Sequence, residues 1–407
     1  MTAVYVAGVG MTAFGVRPGT SVKDLTREAV GEALGDAGAT QEHIEAAYFG
    51  NTCQDVLEGQ NVIAGQVALR SMGFQSIPVV NVENACATAA TALHQAALHI
   101  RSGVADIVLA VGVEKTNVED RAKALALFEG GVDVHDPVGV RAILDELGGP
   151  VERRDGRPYS MFMAIYGALA RAHMREFGTT AEQLALVSSK NHAHAVDNPR
   201  AHFRKAMSVE EILGARSVVP PLTTPMCAPL TDGGAAAVLC SEAGLERLGA
   251  SSRAVKVLAS TLRTGSVREL TDWSTSVSRL AALQAYEQAG VGPDDVSVAE
   301  VHDAAAFGEI LQSELLGFCA IGDGGKFAES GASTLGGRLP VNPSGGLESK
   351  GHPMGATGLA QVYELVQQLR GEAGSRQVQN ARIAVAENGG GMYGGEEAVA
   401  AITILSA

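Results

Sequence analysis

The sequence predicts an α/β protein in which two copies of one unit form a single rigid body. Three observations predict it. Short β-branched runs alternate with amphipathic helical stretches, the pattern of βαβ units and mainly parallel sheets. Two segments recur in the same order in both halves of the chain, which points to duplication. The composition favours helices lying close on sheets: hydrophobic residues make up 46%, aromatics only 4%, and glycine reaches 49 residues. A core of Ala, Val, Leu and Gly suits such layers better than a β-sandwich. With 407 residues and 19% charged, a large buried core is expected and disorder is not.

The strand candidates are residues 4–9, 79–82, 107–113, 235–239, 298–301, 383–386 and 398–405. Helices open at recognisable caps: Ser21-x-x-Asp24, Thr180-x-x-Gln183 and Ser208-x-x-Glu211 read as capping boxes, with Asp standing in for Glu at the first. The repeat is seen twice. DAGATQEHIEAAYFGN mirrors QAGVGPDDVSVAEVHD and sets Gly50 opposite His302, an offset of 302 − 50 = 252. ACATAATAL mirrors GHPMGATGL and sets Cys86 opposite His352, an offset of 352 − 86 = 266. The halves are expected at residues 1–245 and 246–407. Residues 116–205 fall outside the repeat and read as an insertion over one face, with a helix over 161–177 and a His-, Asn- and Pro-rich run over 191–202. Met161, Phe162, Met163 and Tyr166 on that helix could line a substrate pocket, although this spacing more often marks helix core.

A formal charge of −14 argues against nucleic acid or an anionic membrane as the main partner. Arg153, Arg154 and Arg157 could still serve a phosphate-bearing ligand locally, or be a solvated face. The five cysteines show no metal-ligand spacing and no C-x-x-C pair, which fits a reducing compartment. With no signal peptide and no membrane span in view, the expected location is the cytoplasm.

Four segments carry candidate chemistry. Cys86 in NVENACATAATAL follows a strand and opens an Ala-rich helix, whose N-terminal partial charge favours thiolate. A lone cysteine is more often simply buried. His352 in NPSGGLESKGHPMGATGLAQ sits in a Gly- and Pro-shaped turn, where it can exchange a proton with a thiol. His302 in EVHDAAAF stands at a strand end, as an anion-site group or a hydrogen-bonded core histidine. Glu387 and Asn388 precede three glycines in AVAENGGGMYGGEEAV, where backbone N–H groups suit an oxyanion hole or the glycines simply turn a hairpin.

Together these segments resemble the thiolase superfamily over nearly the whole chain: Cys86, then CAPLTDGGAAAVL, EVHDAAAF, GHPMGATG and a terminal glycine-rich turn. The likeness is greatest to sterol-carrier-protein-type and lipid-transfer thiolases, which have His-Asp at the third motif. The resemblance implies two duplicated βαβαβαββ halves in a five-layer αβαβα arrangement with an inserted loop domain, and a homodimer. It implies an acyl-CoA acyltransferase acting on a coenzyme A thioester; no metal cluster and no dinucleotide fingerprint appear in the sequence, so no other cofactor and no metal are expected. Cys86 would be acylated and His352 would activate it. His302 would sit at a water-containing oxyanion hole, and the N–H groups of Cys86 and Gly389 would form a second one.

Two departures stand out. The base cysteine of ordinary thiolases is Glu387 here, and the alternative cysteine of His-Asp-Cys-Phe is Ala304. Glu387 could replace the base, since burial raises a carboxyl pKa toward the range needed for enolisation; it could equally just brace the turn. The expected reaction is carbon–carbon cleavage or formation of a 3-oxoacyl-CoA. The alternatives are acyl transfer to a non-CoA acceptor, or a thiolase-shaped subunit completed by a small zinc-ribbon and oligonucleotide-fold protein.

Overall fold

The structure, a computed structural model, describes residues 2–149, 160–250 and 252–407. Arg153, Arg154 and Arg157 lie outside them. The strands are β1 (Tyr5–Met11), β2 (Ala46–Gly50), β3 (Val79–Val82), β4 (Ile107–Glu114), β5 (Ser217–Val219), β6 (Leu222–Thr223), β7 (Gly233–Cys240), β8 (Val255–Thr264), β9 (Val298–Glu300), β10 (Ile383–Gly390) and β11 (Val399–Ser406). β5 and β6 form a small ribbon, and the other nine make one run in the order β3-β2-β4-β7-β1-β8-β11-β10-β9.

That order is close to a palindrome about the β1–β8 junction. β1, β2, β4 and β7 on one side answer β8, β9, β10 and β11 on the other. The counterpart of β3 is reduced to a parallel bridge between Ala299 and Val341. The halves meet through the short antiparallel pairing Tyr5↔Lys256 and Val6↔Val255. Helices Thr88–Arg101 and Thr357–Arg370 lie between the two half-sheets, where Ala89, Leu93, Ile100, Leu359 and Leu365 share one core with Val108 and Leu239 on one side and Val298 and Leu405 on the other. Helix Val22–Ala37 covers the outside of the first half and Val277–Ala289 the outside of the second. The result is the five-layer αβαβα stack. Each fully buried Leu or Ile in it contributes roughly 1.5–3 kcal/mol of transfer free energy, and alanines between them let the central helices approach.

The structure corrects two expectations. The sheet is mixed rather than mainly parallel: β2 pairs in parallel with β3 and β4, but β7 enters antiparallel between β4 and β1, and β10–β11 is antiparallel. The physical reason is connectivity. Crossover helices return a strand in parallel, whereas β7 comes back from the long excursion after β4, and β11 follows a short turn. The repeat register is also displaced. Both central helices begin with Thr after a three-residue 3₁₀ turn, at 357 − 88 = 269. On that register Cys86 lies opposite Gly355, and His352 comes three residues earlier. Cys86 and His352 meet because the two turns face one another across the central helix layer, not because the residues are equivalent.

The three capping boxes form as read, at Ser21/Asp24, Thr180/Gln183 and Ser208/Glu211. The 161–177 helix spans Met161–Phe177, and helix Ala181–Ala195 runs into the His- and Asn-rich segment. Among the described residues, no helix is long and apolar enough to cross a membrane.

Candidate active site

The turn after β3 presents Cys86. Ala85 takes a left-handed φ of 47°, a conformation that costs a non-glycine residue of order 1–3 kcal/mol. Side chains on either side hold it there. The Ala85 N–H donates to Glu83 Oε1 at 2.6 Å, and the Asn84 N–H donates to Thr88 Oγ1 at 2.8 Å. Cys86 is thereby placed in the 3₁₀ turn Ala85–Ala87 that leads into helix Thr88–Arg101, at the positive end of that helix.

The His352 turn rests on a buried polar platform. The Lys350 Nζ donates to Glu300 Oε2 at 2.8 Å, with both side chains at most 1% exposed. The hydroxyl and the N–H of Ser344 also donate to the Glu300 carboxylate, at 2.6 and 3.0 Å. Just beyond, His352 Nδ1 lies 2.7 Å from Thr357 Oγ1, whose hydroxyl donates to the Pro353 carbonyl at 3.2 Å. With that proton committed, Thr357 accepts from Nδ1–H. Nε2 is then the free base, and it lies 3.2 Å from Cys86 Sγ. Burial, and then the charges of His302 and Lys350, keep the His352 pKa well below the ordinary histidine value. Neutral His352 can therefore accept the thiol proton.

His302 reaches the same sulfur from the other half. Its ring is 5.2 Å from that of His352, and the sulfur and one nitrogen from each ring lie within 4.8 Å of one another. The residues were scattered in the sequence; the fold makes them one group with metal-ligand chemistry as well as acid–base chemistry. His302 Nδ1 is 3.3 Å from Glu397 Oε1. The Ser278 hydroxyl and Gln312 amide donate to Glu397 Oε2, at 2.7 and 3.2 Å. Burial opposes charge on His302, but the Cys86 sulfur and the Glu397 carboxylate outweigh it and hold its pKa well above the usual value.

Glu387 is fully buried behind His302, and its Oε2 accepts the His302 backbone N–H at 2.8 Å. Burial, then the charge of Glu397, raises its pKa well above the carboxylate range. The glycines after it serve a close approach. A Cβ at Gly389 would overlap the Glu397 carboxylate, and one at Gly390 would overlap the backbone at Asn84 and Ala87 beside Cys86. β10 thus lies against the Cys86 turn as well as pairing in the hairpin with β11.

Asp303 and Ala304 do not join the group at the sulfur. Asp303 accepts from the Leu347 N–H at 2.8 Å and from Asn191 at 3.1 Å, which ties the His302 strand end to the loop before His352. Tyr166 is buried in the core beneath the insertion, and Met161, Phe162 and Met163 are half-buried against that core. Tyr166 also lines a cavity that reaches Gln312 and Glu397. Sequence reasoning missed Glu397, Ser278, Gln312 and Thr357. Glu397 was within the quoted glycine-rich motif, but nothing in one chain's sequence folds a carboxylate eight residues beyond Gly389 back over it.

Residues 4–219 match the family model "Thiolase, N-terminal domain", and residues 259–406 match "Thiolase C-terminal domain-like". The chain belongs to the thiolase family. Sterol carrier protein 2 of Bos taurus is 38% identical over 401 residues, covering 95% of this chain and 69% of the relative. An acetyl-CoA acetyltransferase of Methanothermobacter thermautotrophicus is 38% identical over 411 residues, covering all of both chains. The benzoylsuccinyl-CoA thiolase subunit BbsB of Thauera aromatica is 34% identical over 396 residues, covering 95% of this chain and 94% of the relative. A chain of the solved "Ltp2-ChsH2(DUF35) aldolase" superposes with a TM-score of 0.77 at 24% identity, over 100% of this chain and 98% of that one. This thiolase-family protein is an acyl-CoA acyltransferase.

Proposed function

We propose that the enzyme carries its acyl group on Cys86 and breaks or makes the carbon–carbon bond of a 3-oxoacyl-CoA. One observation carries the reading: the free Nε2 of His352 faces Cys86 Sγ at 3.2 Å. In the cleavage direction the thiol proton passes to His352, and the thiolate adds to the 3-keto carbon. The oxyanion is received by the backbone N–H groups of Cys86 and Gly389. Collapse breaks the C2–C3 bond and leaves an acyl-enzyme and the enolate of the shorter acyl-CoA, whose carbon then takes a proton. Coenzyme A removes the acyl group and restores the thiol. His302 faces the thioester oxygen. Glu387, with its raised pKa, stands where thiolases have their base cysteine and is the candidate proton carrier at C2; its unpartnered Oε1 is the atom that would do it. A cavity of about 320 Å³ lined by Val132, Ile143, Ile165 and Met392 is assigned to the acyl chain.

The test is mass spectrometry after incubation with a panel of acyl-CoAs. An acyl adduct on the Cys86 peptide, absent in Cys86→Ala, is expected; a folded protein with no adduct sinks the reading. Glu387→Gln separates the two half-reactions. It should abolish carbon–carbon chemistry and spare the adduct, and unchanged turnover would leave Glu387 as a brace for the His302 backbone. Acyl transfer to a non-CoA acceptor draws no support from the relatives.

We further place a homodimer contact at the free edge of β3, beside which Val56, Val62, Ile63 and Val80 are exposed. An open apolar edge is a pairing surface. Ile63→Asp should turn a dimer into a monomer by light scattering; a wild-type monomer, as the solved "monomeric SCP2-thiolase like protein type 1" is described, would remove the contact. The names of BbsB and of the DUF35 aldolase support a role for a second protein subunit, to be sought by co-purification. All five cysteines are free, which supports a reducing compartment such as the cytoplasm.

A further inference from the structure

The two histidines at Cys86, their rings inclined at 61° to one another, have different partners at Nδ1. Each directs Nδ1 away from the sulfur. His352 Nδ1 meets a hydroxyl, that of Thr357, at 2.7 Å. His302 Nδ1 meets a carboxylate, that of Glu397, at 3.3 Å. A hydroxyl accepts an N–H without favouring charge on the ring, whereas a buried carboxylate favours imidazolium strongly. The carboxylate is itself fixed, because Ser278 and Gln312 donate to its other oxygen. Its place above Gly389 is open only because that residue has no side chain. Glu387, the neighbouring acid, meets His302 at the backbone N–H through its Oε2, whereas Glu397 meets the ring.

We propose that Glu397 is a positioning residue that holds His302 as an imidazolium, so that His302 supplies the charge which stabilises the Cys86 thiolate once His352 has taken the proton. The assignment splits roles that one histidine would otherwise combine. In the transfer the S–H bond of Cys86 breaks and an N–H bond forms at His352 Nε2. His302 keeps both of its protons, and its Nε2–H, which has no hydrogen-bond partner among the described residues, faces the new negative charge. The net charge of Glu397, His302, Cys86 and His352 together is the same before and after the step. Burial, and then the neighbouring Glu397, pushes the Glu387 carboxyl up toward its neutral form. The inference rests on Cys86 being the reactive thiol and does not depend on which acyl-CoA it meets.

The test therefore uses no acyl-CoA. Protein labelled with ¹⁵N-histidine is observed at pH 8, where an ordinary histidine is neutral. A His302 imidazolium with both ring nitrogens protonated is expected, assigned by its loss in His302→Asn. It should disappear in Glu397→Gln and return in Glu397→Asp. Alkylation of Cys86 by iodoacetamide should fall about tenfold or more in Glu397→Gln, equivalent to at least one unit of lost charge preference on the ring, and recover in the aspartate variant. Thr357→Val should change alkylation while leaving the His302 signal in place. A neutral His302 at pH 8 in the wild type, or a signal that survives Glu397→Gln, overturns the proposal. Should Glu397→Gln not fold, the wild-type signal and its assignment decide alone. Failure here with an intact acyl adduct on Cys86 removes Glu397 from the mechanism and leaves the acyl-enzyme standing.

Discussion

Replacing His352 with Asn is expected to slow acylation of Cys86 by about 10²- to 10⁴-fold, the usual contribution of a placed general base, with little change in the affinity for acyl-CoA. The argument is a chain of three hydrogen bonds with one consistent direction. The Thr357 hydroxyl donates to the Pro353 carbonyl, His352 Nδ1–H donates to Thr357, and the Cys86 thiol donates to Nε2. Asparagine can keep a donor toward Thr357 but offers no basic nitrogen at the Nε2 position. The measurement is the pre-steady-state burst of CoA release against substrate concentration, which separates the acylation rate from binding. A loss of less than tenfold would move the base role to His302, which the carboxylate of Glu397 makes a poor acceptor. The same chain predicts its own order of sensitivity: Thr357→Val frees Nδ1 of its acceptor and lets the ring choose the other tautomer, so it should slow acylation less than removal of the ring does.

The segments that announced the fold did so through local physics. Capping boxes depend on residues three apart, so Ser21, Thr180 and Ser208 mark helix starts without reference to anything distant. The duplicated small-residue helices were legible because their alanines must face each other between two sheets. β2 and β8 were missed because AAYFG has few β-branched residues and VKVLASTLRT reads equally as helix or strand; both become strands through pairing with distant partners. The parallel bias failed for a related reason, since strand direction is set by where a connection returns. At the site, Cys86, His302 and His352 could be singled out because turns and glycines flank them. Which histidine carries charge could not, because that is decided by Glu397, Ser278 and Gln312, from the last turn of the chain and two helices that the sequence gives no reason to bring together. The three-residue displacement between Cys86 and His352 has the same origin. Short repeats fix that two turns correspond, and only the backbone fixes which residue of each turn meets the other.

The platform under His352 supplies the largest expected effect on stability. Lys350→Met should destabilise the protein by about 3–5 kcal/mol, the cost of leaving a buried carboxylate without its cation. Lys350 and Glu300 are at most 1% exposed, and the ammonium lies 2.8 Å from Glu300 Oε2. Methionine fills most of the stem volume, so the loss is electrostatic rather than a cavity. Ser344 supplies two donors to Glu300 but no charge. The urea midpoint at constant m reads the change. The double variant Lys350→Met with Glu300→Gln should recover a large part of it, because the amide keeps an acceptor for the Ser344 N–H and removes the stranded charge. Recovery separates a charge effect from misfolding of the turn, for which the second substitution would add its own cost. The backbone of this lysine is also engaged, its carbonyl accepting the His202 N–H at 2.9 Å two residues before His352. Acylation of Cys86 in the single variant should therefore fall even where the protein remains folded, and return with stability in the double. A single variant within 1 kcal/mol of wild type would mean that Glu300 is held by Ser344 alone, and that the turn carrying His352 is fixed by its glycines and Pro353 rather than by the ion pair beneath it.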